Sequence, residues 1–126
     1  MSETAFIRGT VVHGKHLGHT IGFPTANVEP EAGASIPHIG VYAGEILISS
    51  ETKRRRCLIN HGFQPTLPSG KETIEVYIVD FDSDIYGASV CLWLHTYLRA
   101  EQKFDSIESL KAQLARDVER LRGSAP

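Results

Sequence analysis

Short runs of apolar and β-branched residues alternate with turn-rich pieces over the first three quarters of the chain. On this pattern five strands are predicted, at residues 5–12, 41–48, 55–59, 74–81 and 89–98. A connection rich in Pro, Ala, Gly and Ser at residues 29–37 is too broken for a long element, and residues 65–70 form a turn. Because no helical stretch separates the strands, the pattern predicts an antiparallel sheet, most simply closed as a barrel.

The last quarter of the chain changes from the strand period to a helical one. Apolar residues recur at helical spacing at Ile107, Leu110, Leu114, Val118 and Leu121. Either Asp105 or Ser106 is suitably located to cap this helix, and Glu108 follows Asp105 at the spacing of a capping box. We therefore expect one amphipathic C-terminal helix against the barrel, followed by a frayed tail at residues 123–126.

The composition is that of an ordinary globular protein. With 126 residues, of which 41% are hydrophobic and 22% charged, the chain is expected to form a single domain, residues 1–126. A net charge of -2 and a pI near 6.3 give no general attraction to nucleic acid or to an anionic membrane. Neither is therefore an expected partner.

Two features bear on the cellular compartment. Cys57 and Cys91 are far apart and belong to no Cys-x-x-Cys or Cys/His pattern, which predicts two reduced thiols and no zinc site. The N-terminus lacks the charged start and apolar run of a signal peptide, and no stretch approaches the roughly 20 apolar residues of a membrane span. A cytoplasmic protein is expected.

Four glycines are spaced through the segment from Gly9 to Asn27, which closes on Pro24-Thr25-Ala26-Asn27; they are Gly9, Gly14, Gly18 and Gly22. Glycines let backbone N–H groups approach an anion, and Thr25 and Asn27 offer neutral oxygens of the kind that Mg²⁺ accepts. Spaced glycines in small β proteins more often mark turns, and neither common glycine motif for nucleotides is present. The segment alone supports a phosphate-handling loop only as a hypothesis.

A carboxylate lies inside the predicted strand at 74–81. Glu75 is flanked by apolar residues, and burying an unpaired carboxylate there is strongly unfavourable. Burial alone slightly favours a structural interpretation, in which Glu75 lies at the solvated end of the strand and pairs with a lysine. The acidic turn that follows, with Asp80, Asp82 and Asp84, lacks the rest of a calcium-binding pattern and is interpreted as a solvated hairpin without a catalytic role.

Two further polar segments stand between predicted elements. Residues 97–106 form a polar connection with an aromatic plug, Phe104, near its end. Residues 60–66 run Asn-His-Gly-Phe-Gln-Pro-Thr, and whether His61 faces solvent is open on the sequence alone. The basic run at residues 54–56 is interpreted as a solvated face beside a turn.

Taken in order, four segments resemble the motifs of the ATP-dependent riboflavin kinase family. They are the glycine-spaced flap ending in Pro-Thr-Ala-Asn, residues 60–66, the Glu75 strand with its acidic-Tyr-Gly turn, and residues 98–104 with Leu-Arg-x-Glu-x-x-Phe. The resemblance implies a mainly β fold, a six-stranded antiparallel Greek-key β-barrel with a C-terminal α-helix. It also implies transfer of the γ-phosphoryl group of Mg-ATP to the 5′-hydroxyl of riboflavin, giving FMN and ADP.

The resemblance also implies roles for individual residues. Glu75 matches the catalytic carboxylate, and Thr25 and Asn27 match the two ligands of the Mg²⁺ cofactor. The ATP-binding positions are Gly14, Lys15, Gly18, His19 and Thr25, and the flavin-binding positions are Arg99, Gln102 and Phe104. Where the family commonly carries Arg or Lys near Gly18, this chain has His19, and histidine is mostly neutral at cytoplasmic pH. The phosphate charge then rests mainly on Mg²⁺, Lys15 and backbone N–H groups.

Two other functions stay open beside the kinase. A catalytically silent flavin- or nucleotide-binding module would keep the fold but has no need of Glu75. A kinase for another small alcohol would need an acceptor loop different from the one with Arg99 and Phe104. The resemblance further implies that an FAD synthetase module accompanies such a domain in many bacteria, and both a monofunctional protein and an excised domain stay open.

Overall fold

The computed structural model describes residues 5–12, 25–64, 71–81, 83–101 and 106–123. These residues form six strands and one helix. The elements are β1 (Ala5–Val12), β2 (Ala26–Pro30), β3 (Gly40–Ile48), β4 (Arg55–Gln64), β5 (Lys71–Ile78), β6 (Ser89–Arg99) and α1 (Ile107–Gly123).

The six strands close into an antiparallel barrel in the order β1-β2-β5-β4-β3-β6. Strands β3, β4 and β5 are successive neighbours, whereas β2 pairs with β5 and β6 lies between β3 and β1, which is a Greek-key connection. The predicted six-stranded barrel with a C-terminal helix is confirmed. The apolar pattern alone missed β2, because this short strand ends in Pro30 and buries only Val28 completely.

The strands alternate between an apolar inner face and a mixed outer face, as the two-residue period of a strand requires. Side chains from all six strands fill the interior: Ile7, Val11, Val28, Tyr42, Ile46, Ile48, Cys57, Ile59, Ile74, Val76, Ile78, Val90, Leu92 and Leu94. Burial raises the pKa of the Cys57 thiol, which keeps this cysteine protonated. Cys57 is therefore a core residue with little thiolate reactivity.

Gly44 permits a close approach between β3 and β6. A Cβ atom on this residue would overlap the backbone carbonyl of Trp93 and crowd the side chain of Ile59. The register of β3 against β6 shifts beside it, between Ala43 and Gly44. A strand glycine next to an irregular pairing is typical of the bends by which small barrels close.

The connection at residues 31–39 covers part of the barrel core. Its Ala34 and Ile36 pack against the interior residues. The Tyr42 hydroxyl donates a hydrogen bond of 2.6 Å to the His38 carbonyl. Burial raises the pKa of Tyr42, so its hydroxyl keeps the proton that this hydrogen bond requires.

The sequence alone leaves open whether His61 faces solvent, and in the structure it faces the barrel interior. It is 3% exposed. Its Nδ1 atom lies 2.7 Å from the Pro37 carbonyl oxygen, and its Nε2 atom lies 3.2 Å from Glu72 Oε2. The imidazole therefore ties the 31–39 connection to β4 and β5.

Helix α1 packs on the outer face of the barrel. Val118 and Leu121, two of the residues predicted for its apolar face, form a cluster with Ala43 of β3 and Leu58 of β4. The helix thus covers part of the outer sheet surface. No helix in the described part of the chain has the length and apolar character that a membrane crossing requires.

Ser106 caps α1 at its N-terminus. Its Oγ atom accepts a hydrogen bond of 3.1 Å from the backbone N–H of Ser109. The other predicted cap, Asp105, lies outside the described residues.

Candidate active site

Glu75 lies on the outer face of β5. Its two neighbours along the strand, Ile74 and Val76, are buried in the barrel interior, so the strand period turns Glu75 outward. The Thr25 hydroxyl, 50 residues earlier in the chain, donates a hydrogen bond to Glu75 Oε2 at 3.3 Å. Thr25 directly precedes β2, and the pairing of β2 with β5 brings the two side chains together.

Three polar side chains form a row across β2, β5 and β4. Asn27 is the register partner of Glu75 on one side, and Asn60 is its partner on the other. All three alternate with interior residues along their strands and therefore point to the outer face. Register partners on one face have Cβ atoms about 4.5–5.5 Å apart. This polar row, Asn27-Glu75-Asn60, sets one carboxylate between two amides.

Two atoms of the polar row are buried without a hydrogen-bond partner within the described residues. They are Asn27 Nδ2 and Asn60 Oδ1. A buried polar atom that lacks a partner costs about 1–3 kcal/mol, so most such atoms in native proteins are satisfied. The polar row thus presents one donor and one acceptor, on opposite sides of the carboxylate.

The residues at this site fit the Mg²⁺ ion that the sequence resemblance implies. Mg²⁺ prefers oxygen ligands and needs only one or two from the protein beside waters and phosphate oxygens. Because the Thr25 hydroxyl gives its hydrogen to Glu75, the lone pairs of Oγ1 stay available to a cation. The described residues contain no group of three or more His, Cys, Asp or Glu suited to a metal. The neutral side-chain oxygens of Thr25 and Asn27 are the candidate ligands at this site.

An apolar wall borders the polar row. Tyr77 and Leu58 are register partners and lie two residues along from Glu75 and Asn60, on the same outer face. Leu58 belongs to the cluster that α1 covers, and Tyr77 packs against that cluster. The helix thereby shelters one side of the candidate site.

The register level of the polar row continues past Asn60 to Val41 and then to Arg99. Val41 is 4% exposed, and it places an apolar side chain between the polar residues Asn60 and Arg99. Arg99 lies three strand spacings from Glu75, or about 14 Å along the barrel surface. The predicted catalytic residue and the predicted flavin contact therefore lie at the same register level of the barrel. We call this level, which runs through Asn27, Glu75, Asn60, Val41 and Arg99, the strip.

The Arg99 guanidinium is bound to α1. Its Nη2 atom donates to Asp117 Oδ2 at 2.7 Å, and its Nε atom lies 3.1 Å from both carboxylate oxygens. Gln113 Nε2 donates to Asp117 Oδ1 at 2.9 Å. The Asp117 side chain is fully buried and that of Arg99 is 17% exposed. This ion pair fixes the helix to the end of β6, and the flavin contact of Arg99 stays a prediction.

The other predicted ligand positions lie outside the described residues. They are Gly14, Lys15, Gly18 and His19 for ATP, and Gln102 and Phe104 for the flavin. Their roles stay predictions.

The sequence alone indicates no role for Asn60 or Asp117. The available signal for Asn60 is that it is a polar residue directly after the apolar pair Leu58-Ile59. Asp117 lies three residues after Leu114 and four before Leu121, which places it on the apolar face of the helix. An acidic residue on such a face signals a buried partner of opposite charge.

The chain is similar to known riboflavin kinases. Residues 1–125 match the family model described as Flavokinase: Riboflavin kinase. The chain is 45% identical over 111 residues to the bifunctional riboflavin kinase/FMN adenylyltransferase of Escherichia coli (strain K12), covering 88% of this chain and 35% of that protein. It is 39% identical over 113 residues to the RNA-binding riboflavin kinase RibR of Bacillus subtilis (strain 168), covering 89% and 47%. The chain thus spans less than half the length of either relative.

Solved structures share the fold. The macrolide-efflux protein of Streptococcus pneumoniae superposes with a TM-score of 0.86 at 37% identity, covering 95% of this chain and 39% of that one. Riboflavin kinase from Trypanosoma brucei superposes with a TM-score of 0.72 at 26% identity, covering 96% and 76%. With a family model that matches nearly every residue, the chain belongs to the riboflavin kinase family.

Proposed function

We propose that this chain transfers the γ-phosphoryl group of Mg-ATP to the 5′-hydroxyl of riboflavin, giving FMN and ADP. The observation that carries the proposal is the hydrogen bond of 3.3 Å between the Thr25 hydroxyl and the Glu75 carboxylate. It joins a candidate metal ligand to a candidate general base on one face of the barrel. Membership of the riboflavin kinase family supports the choice of acceptor.

Glu75 is the general base in this mechanism. Its carboxylate accepts a hydrogen bond from the 5′-hydroxyl and orients the hydroxyl oxygen toward the γ-phosphorus. As the new O–P bond forms and the bond to the leaving ADP oxygen breaks, the hydroxyl proton passes to Glu75. Because the transition state of phosphoryl transfer is loose and a primary alcohol is a weak acid, the proton moves late. The position of Glu75 therefore matters more than its basicity.

Thr25 and Asn27 would hold the metal ion through their side-chain oxygens, Thr25 Oγ1 and Asn27 Oδ1. When bound, Mg²⁺ would neutralise charge on the phosphate oxygens and so favour the transfer. Asn27 Nδ2, which is buried without a partner within the described residues, donates to a phosphate oxygen in this proposal. The Thr25 hydroxyl keeps its hydrogen bond to Glu75 and so couples the position of the base to the metal site.

The two ends of the substrates are held by residues from the sequence motifs. Gly14, Lys15, Gly18 and His19 contact the triphosphate. Arg99, Gln102 and Phe104 contact the isoalloxazine ring, which is flat and apolar with a polar edge and so suits an aromatic neighbour and a planar guanidinium.

A catalytically silent flavin- or nucleotide-binding module is the alternative function. Such a module needs neither a general base nor a hydroxyl that orients it. The Thr25–Glu75 hydrogen bond on a sheltered outer face therefore favours the kinase. A kinase for another alcohol is disfavoured by Arg99 and Phe104, which match the flavin-binding positions of the family.

The proposal extends to partners and compartment. We infer a single cytoplasmic domain whose partners are riboflavin, FMN, ATP and ADP. In a longer protein, an FMN adenylyltransferase module of the kind named for the Escherichia coli relative would accompany it. One relative is named as RNA-binding, but a net charge of -2 gives this chain no general affinity for RNA.

Incubation of the purified chain with riboflavin, ATP and Mg²⁺ tests the proposed function. We expect FMN and ADP to form in equal amounts, as measured by chromatography of the flavins and nucleotides. A reaction without Mg²⁺ and one without protein are the controls. Tight riboflavin binding with no FMN above the protein-free control would establish the silent module instead.

Thr25→Val and Asn27→Ala test the metal site. Each removes one candidate oxygen ligand, so we expect the Mg²⁺ concentration for half-maximal activity to rise about 10-fold or more, within the 1–3 kcal/mol scale of a lost buried polar contact. Thr25→Val preserves side-chain shape and is the cleaner of the two. Activity titrated against Mg²⁺ at saturating riboflavin measures the effect. A Mg²⁺ dependence equal to that of the unmodified chain would remove both residues from the site.

A further inference from the structure

The side-chain oxygen of Asn60 is buried and has no hydrogen-bond partner within the described residues. Asn60 lies in β4, between Ile59 and His61, both of which face the barrel interior. Its side chain therefore points to the outer face, where the polar row lies. Asn60 has no part in the phosphoryl transfer proposed for Glu75, Thr25 and Asn27.

The register places Asn60 directly beside Glu75. Cβ atoms of such partners are about 4.5–5.5 Å apart. A substrate that presents one hydroxyl to the Glu75 carboxylate therefore has its adjacent groups within reach of Asn60. The Asn27 amide lies on the opposite side of Glu75, next to the proposed metal ligands.

The chemistry of the orphaned atom limits what binds there. Asn60 Oδ1 is a carbonyl oxygen and only accepts hydrogen bonds, so it suits an O–H or N–H group. A phosphate oxygen ionised at neutral pH is itself an acceptor and does not satisfy it. A hydroxyl of the alcohol substrate, rather than a nucleotide phosphate, therefore suits Asn60 Oδ1.

The order of side chains along the strip matches the order of groups along a flavin polyol. Asn27 lies at the phosphate end, Glu75 at the reacting hydroxyl, Asn60 next to it, and then the apolar Val41 and the cationic Arg99. Riboflavin carries its 5′-hydroxyl, then further ribityl hydroxyls, then the ring. The position of Asn60 in this order corresponds to the ribityl hydroxyls behind the 5′-hydroxyl.

We propose that Asn60 Oδ1 accepts a hydrogen bond from a second ribityl hydroxyl, and that this contact positions the 5′-hydroxyl against Glu75. The inference rests on the proposed function. It makes Asn60 a specificity-determining residue, because an alcohol with no second hydroxyl leaves a buried carbonyl unsatisfied.

A cycle of one substitution and one substrate change tests the proposal. Asn60→Leu removes the acceptor at similar side-chain volume, and 4′-deoxy- and 3′-deoxyriboflavin each remove one candidate donor. We expect kcat/KM of the unmodified chain to fall about 10-fold to 100-fold on one of the two analogues, the range expected for a lost buried hydrogen bond. Asn60→Leu should lose a similar factor on riboflavin and almost nothing further on that analogue, with KM for ATP unchanged.

Independent losses would overturn the proposal. Asn60 and the hydroxyls do not interact if kcat/KM of Asn60→Leu falls on each analogue by the same factor as kcat/KM of the unmodified chain does. In that case the role of Asn60 is structural. Asn60→Gln keeps a neutral carbonyl acceptor and adds no second carboxylate beside Glu75, so it should keep the discrimination between riboflavin and the analogue. Loss of that discrimination in Asn60→Gln also contradicts the proposal, and this variant decides the matter if Asn60→Leu does not fold.

Failure of the proposed function gives a different result. If the unmodified chain binds riboflavin but forms no FMN, the same cycle is measured through flavin fluorescence on binding. If Asn60→Leu and the analogue weaken flavin binding no more together than either does alone, the contact of Asn60 is supported without a kinase activity. If their effects on binding are independent, the contact is refuted. If FMN forms and the effects on kcat/KM are independent, only the contact is refuted and the kinase activity stands.

Discussion

Replacement of Glu75 by glutamine is expected to lower kcat about 10²-fold to 10⁴-fold, the range typical of a lost general base. Glutamine has the shape of glutamate, and its carbonyl oxygen still accepts the hydrogen bond from Thr25. It has no basic carboxylate to take the proton of the 5′-hydroxyl. The affinity for Mg-ATP, measured by calorimetry, should change little, because the proposed ligands Thr25 and Asn27 are intact.

Glu29→Gln is a matched control for this substitution. Glu29 lies in β2, as Asn27 does, but it is exposed and two residues further along the strand, where it pairs with Thr10 of β1. It should keep nearly full activity. A Glu75→Gln chain that turns over at the unmodified rate would exclude Glu75 as the base. One that fails to fold, judged by circular dichroism, would instead support the structural interpretation of this carboxylate.

Replacement of Asp117 by alanine is expected to destabilise the protein by about 3–5 kcal/mol, the cost of removing one partner from a buried ion pair. Asp117 is fully buried, and Arg99 loses three short contacts when the carboxylate is removed. Since small proteins are stable by only about 5–15 kcal/mol, this is a large fraction of the total. Urea unfolding followed by tryptophan fluorescence measures the loss.

The double variant Arg99→Met/Asp117→Leu separates the two roles of the pair. Replacing both charges by apolar side chains of similar size is often close to neutral, so most of the stability should return. KM for riboflavin should still rise, because the predicted flavin contact of Arg99 is lost. Equal destabilisation of the single and double variants would contradict the ion-pair argument. An unchanged KM in a stable double variant would remove Arg99 from the flavin site.

The elements with a strong local pattern followed from the sequence. The strand at 5–12 has the bounds of β1, and the helical spacing after residue 106 placed Val118 and Leu121 on the face that packs against the barrel. The short β2 did not follow, because its strand conformation depends on pairing with β1 and β5 more than on its own residues. The early end predicted for the strand at 55–59 has a similar cause, since β4 continues through polar residues to Gln64.

For the candidate site, the sequence indicated which residues to consider but not how their side chains lie in space. The motifs singled out Thr25, Asn27 and Glu75, and the structure sets these three side chains beside one another. No local pattern indicated that Asn60 would be the other neighbour of Glu75, or that Arg99 would be held by Asp117. These relations depend on which strands pair, in which register, and where the helix packs.

The sequence by itself determined that the chain alternates strands with turns, ends in an amphipathic helix and carries the motifs of a phosphoryl-transfer family. Those properties are local, because strand period, helix period and turn chemistry act over a few residues. Only the tertiary structure decided that Asn27, Glu75 and Asn60 form one row on the outer face. Their order is set by strand register, which is fixed by burying the apolar faces of all six strands together and so belongs to no single segment.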